Sequence, residues 1–437
     1  NGGERLHIKT PAGTTVLDFT YSDNGDAGWY PTTDGEGYSL VLTDPAGNLD
    51  SGASWGASAN IHGSPGEPEP AAIGAGILIS EVLSHTDLPA VDAIEVYNSG
   101  TTSVDVAGWF LSDRLTDLKR FQIPIAPPIV VPPGGFHVFY EDTSFNQDTN
   151  SPNSFELSSL GDEVYLSSNI GTNLSNHRIS VRFGASENGV SFCRHVRSDN
   201  EVDFVASQNT TLGTTNSLPR VGPIIINEIM YNPGAGGKEY IELYNLSGAS
   251  VPLYDPAHPA NTWALNGAVE YSFPSLAQMA PGEYLIVSEL PSAEFRERFN
   301  LTNTAIQILG PYAGNLSNTG DSLKLYKPDA PEANGFVPQI LVDRVKYSDR
   351  APWPTSADGD GPSLERTSSV LYGNDPATWV AGSVGGTPAA ANNILMTPTV
   401  GFTDLRTTRI EMAETLSIPV AISPRSTSTV LVQYAVS

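Results

Sequence analysis

The chain has 437 residues, enough for two to four domains at roughly 100–200 residues each. Lys and Arg number 22 against 48 Asp and Glu, a formal charge of −26, which argues against a nucleic-acid or anionic-membrane partner because both need a basic footprint. Charged residues are 16% of the chain, against about 25% in a typical soluble protein, and Ser, Thr, Asn and Gly fill the space between apolar runs, a surface that reads as extracellular β-protein.

The single cysteine, Cys193, excludes an intrachain disulfide and any cysteine-based zinc or iron–sulfur cluster. No stretch approaches the about 20 apolar residues of a membrane helix; the longest, Ala71 to Ile79, is short and Gly-interrupted, so no membrane insertion is expected. The sequence opens on Asn1 without a charged and then apolar leader, which predicts a fragment whose signal peptide is absent or lies upstream.

In chain order, period-2 runs occur at Ile77-Leu78-Ile79, Ala93-Ile94-Glu95-Val96-Tyr97, Phe136-His137-Val138-Phe139-Tyr140, Tyr284-Leu285-Ile286-Val287 and Leu323-Lys324-Leu325-Tyr326. Gly, Pro, Asn and Asp clusters bound them, which predicts the strands of a sandwich or barrel. One helical pattern stands out, Ser292 to Phe299, with Ser292 as the expected N-cap and acidic residues in the first turn.

An internal repeat organises these runs. Ile77-Leu78-Ile79-Ser80-Glu81-Val82-Leu83 matches Ile224-Ile225-Ile226-Asn227-Glu228-Ile229-Met230, and Ala93-Ile94-Glu95-Val96-Tyr97-Asn98 matches Tyr240-Ile241-Glu242-Leu243-Tyr244-Asn245, both at an offset of 147. Pro133-Gly134-Gly135-Phe136 pairs with Pro281-Gly282-Glu283-Tyr284. The N-terminal stretch repeats only the second half of the unit: Gly3-Glu4-Arg5-Leu6-His7-Ile8 corresponds to Gly161-Asp162-Glu163-Val164-Tyr165-Leu166 and to Gly320-Asp321-Ser322-Leu323-Lys324-Leu325. Pro65 to Pro70 reads as a Pro-rich spacer and Gly385 to Asn393 as a small-residue exit linker.

These residues resemble the lamin tail domain in its bacterial extracellular form: Ile-Ile-Ile-Asn-Glu-Ile, Tyr-Ile-Glu-Leu-Tyr-Asn, a Trp-containing strand, Pro-Gly-Glu-Tyr, Asn-Thr-Gly-Asp-Ser-Leu-Lys-Leu and Asp-Gly-Asp-Gly-Pro-Ser-Leu-Glu-Arg. The resemblance implies an all-β fold of tandem immunoglobulin-like β-sandwiches used as binding or scaffold modules. Expected limits are 1–70 for the closing part of one copy, 71–75 for a linker, and 76–220 and 223–393 for two copies. From 398 to 437, Val400-Gly401-Phe402, Ile410-Glu411 and Leu416-Ser417-Ile418-Pro419-Val420 resemble the start of a Calx-beta domain, which would make Glu411 a calcium ligand.

Chemistry-bearing residues are few. Gly52-Ala53-Ser54-Trp55-Gly56 has the spacing of a nucleophile elbow but no strand before it or helix after it. Glu81 with Glu95, and Glu228 with Glu242, recur in register and offer paired carboxylates. Alternation points Glu95 away from Ile94 and Val96, toward solvent or the polar face of the sheet, where a structural salt bridge or strand-end hydrogen bond is expected. Asp358 and Asp360, like Asp34 and Glu36, cluster oxygens that suit calcium, yet their Gly-Asp composition favours a tight turn. The seven histidines show no ligand spacing, and the recurring tryptophans suit a core better than a sugar platform.

The expected function is a non-catalytic extracellular or cell-surface segment for adhesion, ligand binding or spacing, with an extracellular protein or polysaccharide as partner. The rival expectation is an accessory region of a large secreted hydrolase, nuclease or spore-coat-type kinase whose catalytic domain lies outside this chain.

Overall fold

The computed structural model describes residues 3–22, 29, 33, 37–42, 45, 47–69, 74, 76–170, 173–393, 399–402 and 420–423. Runs rich in Ile, Val, Leu and Tyr become strands, and the Gly, Pro and Asn clusters between them become turns. At the N-terminus β1 (Glu4–Lys9) and β2 (Thr15–Tyr21) form one antiparallel ribbon, and β3 (Tyr38–Leu42) with β4 (Trp55–Ile61) another. Leu6, Ile8 and Val16 of the first ribbon are exposed.

The next sandwich is built from β5 (Ile77–Leu83), β6 (Ala93–Asn98), β7 (Phe110–Ser112), β8 (Phe121–Gln122), β9 (Phe136–Tyr140), β10 (Gly161–Ile170), β11 (Asn173–Gly184), β12 (Phe192–Val196) and β13 (Val202–Ala206). One sheet has the order β9-β6-β5-β12-β13 and the other β11-β10-β7-β8. Ile77, Ile79, Ile94, Trp109, Leu111, Val164 and Phe183 fill the space between them.

The last sandwich repeats this plan with β14 (Ile224–Met230), β15 (Tyr240–Asn245), β16 (Ala264–Gly267), β17 (Val269–Ser272), β18 (Tyr284–Ser288), β19 (Gln307–Leu309), β20 (Ala313–Gly314), β21 (Gly320–Pro328), β22 (Gln339–Ser348), β23 (Pro362–Arg366) and β24 (Trp379–Val384). Its sheets run β19-β18-β15-β14-β23-β24 and β20-β17-β16-β21-β22. The core gathers Ile226, Ile241, Trp263, Leu325, Val345, Trp353 and Trp379. Among the described residues no sheet draws strands from both sandwiches, and β25 (Thr399–Phe402) pairs with β26 (Val420–Ser423) beyond them.

Every residue of β14 is buried, so this sheet is covered on both faces, in keeping with the near-continuous apolar run Ile-Ile-Ile-Asn-Glu-Ile-Met. The cover is partly α1 (Ser292–Arg298), whose Phe295 packs edge-on to Tyr240 with ring centroids 5.5 Å apart. The helix starts one residue earlier than expected: extended Pro291 holds the N-cap position, with no side-chain acceptor, and Ser292 lies inside the first turn. Burial of Phe295 fixes that start in place of a cap.

Candidate functional site

A β-bulge builds the most unusual polar site in the molecule. In β5 the register to β6 shifts between Ile79 and Glu81, and in β14 the register to β15 shifts between Ile226 and Glu228. The extra residue, Ser80 or Asn227, breaks the alternation, so two consecutive polar side chains face away from the core while Ile79, Val82, Ile226 and Ile229 stay in it. Across the sheet Glu81 stands opposite Glu95, and Glu228 opposite both Glu242 and Glu365.

All five glutamates are fully buried and none is ion-paired among the described residues, which corrects the solvent-facing and salt-bridge alternatives, while the hydrogen-bond alternative holds for Glu95, which accepts from the Gly213 amide. Their direction was legible; their cover was not. The stretch expected to be an exit linker, Gly385 to Asn393, folds back over β14 and β15 as a strap, and residues 211–216 do the same over β5 and β6. In the last sandwich the Thr387 amide donates to Glu228 (2.8 Å) and the Ala389 amide to Glu242 (2.6 Å). In the preceding one the Thr211 amide donates to Glu81 (2.9 Å) and the Gly213 amide to Glu95. Each strap ends on an asparagine that binds the bulge residue: Asn216 Nδ2 reaches the Ser80 carbonyl (3.1 Å) and Asn392 Nδ2 the Asn227 carbonyl (3.2 Å).

Donors are shared unequally. Glu228 accepts from Tyr240 (2.7 Å), Ser363 (2.5 Å) and Thr387, and Glu81 from Ser191 (2.5 Å) and from both the amide and hydroxyl of Thr211. Glu95 leaves Oε1, and Glu365 leaves Oε2, without a partner. Burial pushes Glu95 up to about 7, with the Glu81 charge adding to it. Burial likewise raises Glu228, Glu242 and Glu365, Glu242 well above the ordinary carboxylate range. Gly382 and Gly386 lie so close to Glu365 and Glu228 that a Cβ at either would collide with the carboxylate.

The other sequence candidates do not converge. Ser54 lies on the turn Gly52–Ser54, donates to the Asn48 carbonyl (2.8 Å), and precedes a strand rather than a helix. Asp358 and Asp360 are exposed on a turn whose Gly359 and Gly361 have φ of +81° and +102°, and Asn232 donates to Asp358 (2.5 Å). Asp34, Glu36 and Glu411 lie outside the described residues. Among the described residues no three His, Cys, Asp or Glu side chains are placed to hold a metal ion, and no helix is long and apolar enough to cross a membrane. Trp29, Trp109, Trp263, Trp353 and Trp379 are buried, unlike a sugar platform. A cleft of about 960 Å³ opens beside α1, with Met230 and Phe299 on its walls and Lys238, Glu294, Arg298 and Asp360 around it.

The Lamin Tail Domain profile matches residues 70–181 and 219–349, more than half of the chain. The chain belongs to the lamin tail domain family. Lamin tail domains are non-catalytic immunoglobulin-like β-sandwiches, in agreement with the two sandwiches here. A solved structure, a DUF4876 family protein from Bacteroides thetaiotaomicron VPI-5482, is 15% identical, with 48% of this chain and 84% of that one covered and a TM-score of 0.22. No curated protein matches the chain significantly.

Between the two lamin tail domains lies a polar junction that the sequence reading missed. Asp203 of β13, nearly buried, accepts from Arg344 of β22 (2.9 Å), Tyr372 (3.0 Å) and Asn374 (2.7 Å). Glu187 takes Arg220 (2.6 Å) and Lys327, Ser198 binds Asp375, and a lone parallel bridge pairs Ala185 with Ile340. An Asp on a strand between Val202 and Phe204 was the available signal.

Proposed function

We propose that this chain is a non-catalytic extracellular or cell-surface segment in which tandem lamin tail domains act as a stiff spacer that holds its neighbours at a set distance. The Asp203 junction carries this reading: an aspartate desolvated by three donors from the next domain resists hinge motion, whereas a flexible linker would leave such groups in water. The cleft beside α1 supports an extracellular protein or polysaccharide as partner. Residues 1–70 are proposed as the closing part of a further copy, because Glu4 pairs with Tyr21 and Leu42 with Trp55 as Asp321 pairs with Tyr347 and Arg366 with Trp379. Limits of 76–220 and 223–393 for the complete copies, and a Calx-beta-like start at 398–437, belong to the same proposal, as does a function that needs no cofactor, with Asp358 and Asp360 serving as a turn.

Distance distributions between spin labels placed in the two domains test it. A narrow distribution in the full chain that broadens in Asp203→Ala is expected. A distribution already broad in the unaltered chain would remove the spacer reading.

A further inference from the structure

Five buried carboxylates form no ion pair with any Lys, Arg or His among the described residues. The titratable neighbour of Glu95 is Glu81 on β5, which in turn faces Cys193 on β12; around Glu242 the neighbours are Glu228 on β14, Tyr240 on its own strand, Tyr284 on β18 and Glu365 on β23. The straps themselves, Thr211 to Asn216 and Thr387 to Asn392, contain no titratable side chain. With no cationic side chain beside them among the described residues, protonation is the way this chain's own groups keep these neighbouring carboxylates from carrying several buried negative charges at once.

The geometry points to a pair of proton-controlled latches: each strap stays closed over its sheet while the outer glutamates beneath it remain protonated, and lifts when they ionise. In each domain one carboxylate, Glu81 or Glu228, has the donors to hold a charge. Its neighbour has few. Glu95 meets the Gly213 strap amide with the Ser80 hydroxyl beside it and has an empty Oε1; Glu242 meets Asn227 and Ala389; Glu365 meets the Thr387 hydroxyl at 3.3 Å, with the Ser383 and Asn393 amides nearby, and has an empty Oε2. A second charge beside the first finds water only if the strap moves away, because the strap amides lie directly on these carboxylates, whereas α1 of the last sandwich covers the part of the face around Met230 and Tyr240. The sign follows from raised carboxyl groups: closure is favoured at low pH and is lost as pH rises through the folded-state value, about 7 for Glu95. The first strap runs on into residues 217–220, which stay pinned to the Ala206–Gln208 segment by the Gln208 and Arg220 amides and the Ser207–Pro219 bridge, so its release is confined to 211–216.

The two domains also differ in a way that sharpens the inference. Cys193 stands opposite Glu81 where Glu365 stands opposite Glu228, and burial lifts the Cys193 thiol to about 11, so it stays neutral. The 387–392 strap covers three carboxylates and the 211–216 strap two. The former is therefore the more pH-sensitive.

Amide hydrogen exchange on the full chain is the test. After correction for intrinsic exchange, protection at Thr211, Gly213, Thr387 and Ala389 is expected to fall about tenfold or more between about pH 5 and pH 9, while core amides such as Ile94 and Ile241 keep theirs. Glu95→Gln in the first sandwich, and Glu242→Gln combined with Glu365→Gln in the second, keep an oxygen for the strap amide but cannot ionise, and each should flatten the profile of its own strap alone. If one variant fails to fold, the other, in a separate sandwich, carries the test. Strap protection independent of pH in the unaltered chain, or falling equally in the Gln variants, overturns the latch.

Discussion

Arg366 is fully buried, yet it is held: Nη1 meets Asp343 at 2.7 Å and the Ile226 carbonyl at 3.1 Å, tying β22 and β14 to β23 through the core. Strand alternation in Leu364-Glu365-Arg366 puts the guanidinium on the core side with Leu364, and Asp343 also accepts the Ile226 amide at 2.9 Å. Removing one partner leaves the other buried and uncompensated. Arg366→Ala should therefore cost about 3–5 kcal/mol in denaturant unfolding, whereas Asp343→Leu with Arg366→Met should cost far less. Cys193 gives a second residue-level expectation. Its thiol is buried and its ionisation suppressed, so it should react with a thiol reagent only on unfolding, giving one reactive group per chain in denaturant and almost none without it. Of these residues only the cysteine's lack of a partner was legible in sequence. Arg366 formed part of a recognised motif, but the aspartate that it meets is 23 positions away on a strand of the other sheet.

At the scale of elements, the paired ribbons were the most legible, since the repeat fixes both their existence and their register. The same glycine opens the hairpin in each copy: Gly161 and Gly320 have φ of +108° and +116°, and a Cβ would approach the Phe183 and Tyr347 carbonyl oxygens to 2.8 and 2.7 Å. Gly134, at φ +70°, has open space around it. Gly320→Ala should thus cost about 2–4 kcal/mol by thermal or urea unfolding and Gly134→Ala about 1 kcal/mol. The straps were illegible for a physical reason. They make no ladder and have no periodicity, and Thr-Leu-Gly-Thr-Thr-Asn and Thr-Pro-Ala-Ala-Ala-Asn read as loop composition. Their shared Thr, small residue and Asn at an offset of 176, set against the shared glutamates, was the signal that could have joined them to the sheet.

For the whole molecule, the charge of −26 sets an expectation that no single contact does. Self-repulsion should make the melting temperature rise with ionic strength, and sodium, magnesium and calcium chlorides at matched ionic strength should raise it equally. A further rise with calcium alone, lost in Asp358→Ala with Asp360→Ala, would mark the exposed turn as an ion site. The tandem order of domains was legible because self-similarity survives without any knowledge of contacts; their mutual orientation was not, because it rests on Asp203 meeting residues up to 171 positions away. The strap has one more consequence. By running back across the strands with which its sandwich begins, it pins the incoming and outgoing chain side by side, so tension transmitted along the array meets the Glu228 and Glu242 hydrogen bonds before it reaches Trp263 or Trp353. Freeing residues 386–393 pays out roughly 25 Å of chain at about 3.3 Å per residue while both sheets stay folded, so the strap gives the chain a reserve of length that costs no core contact.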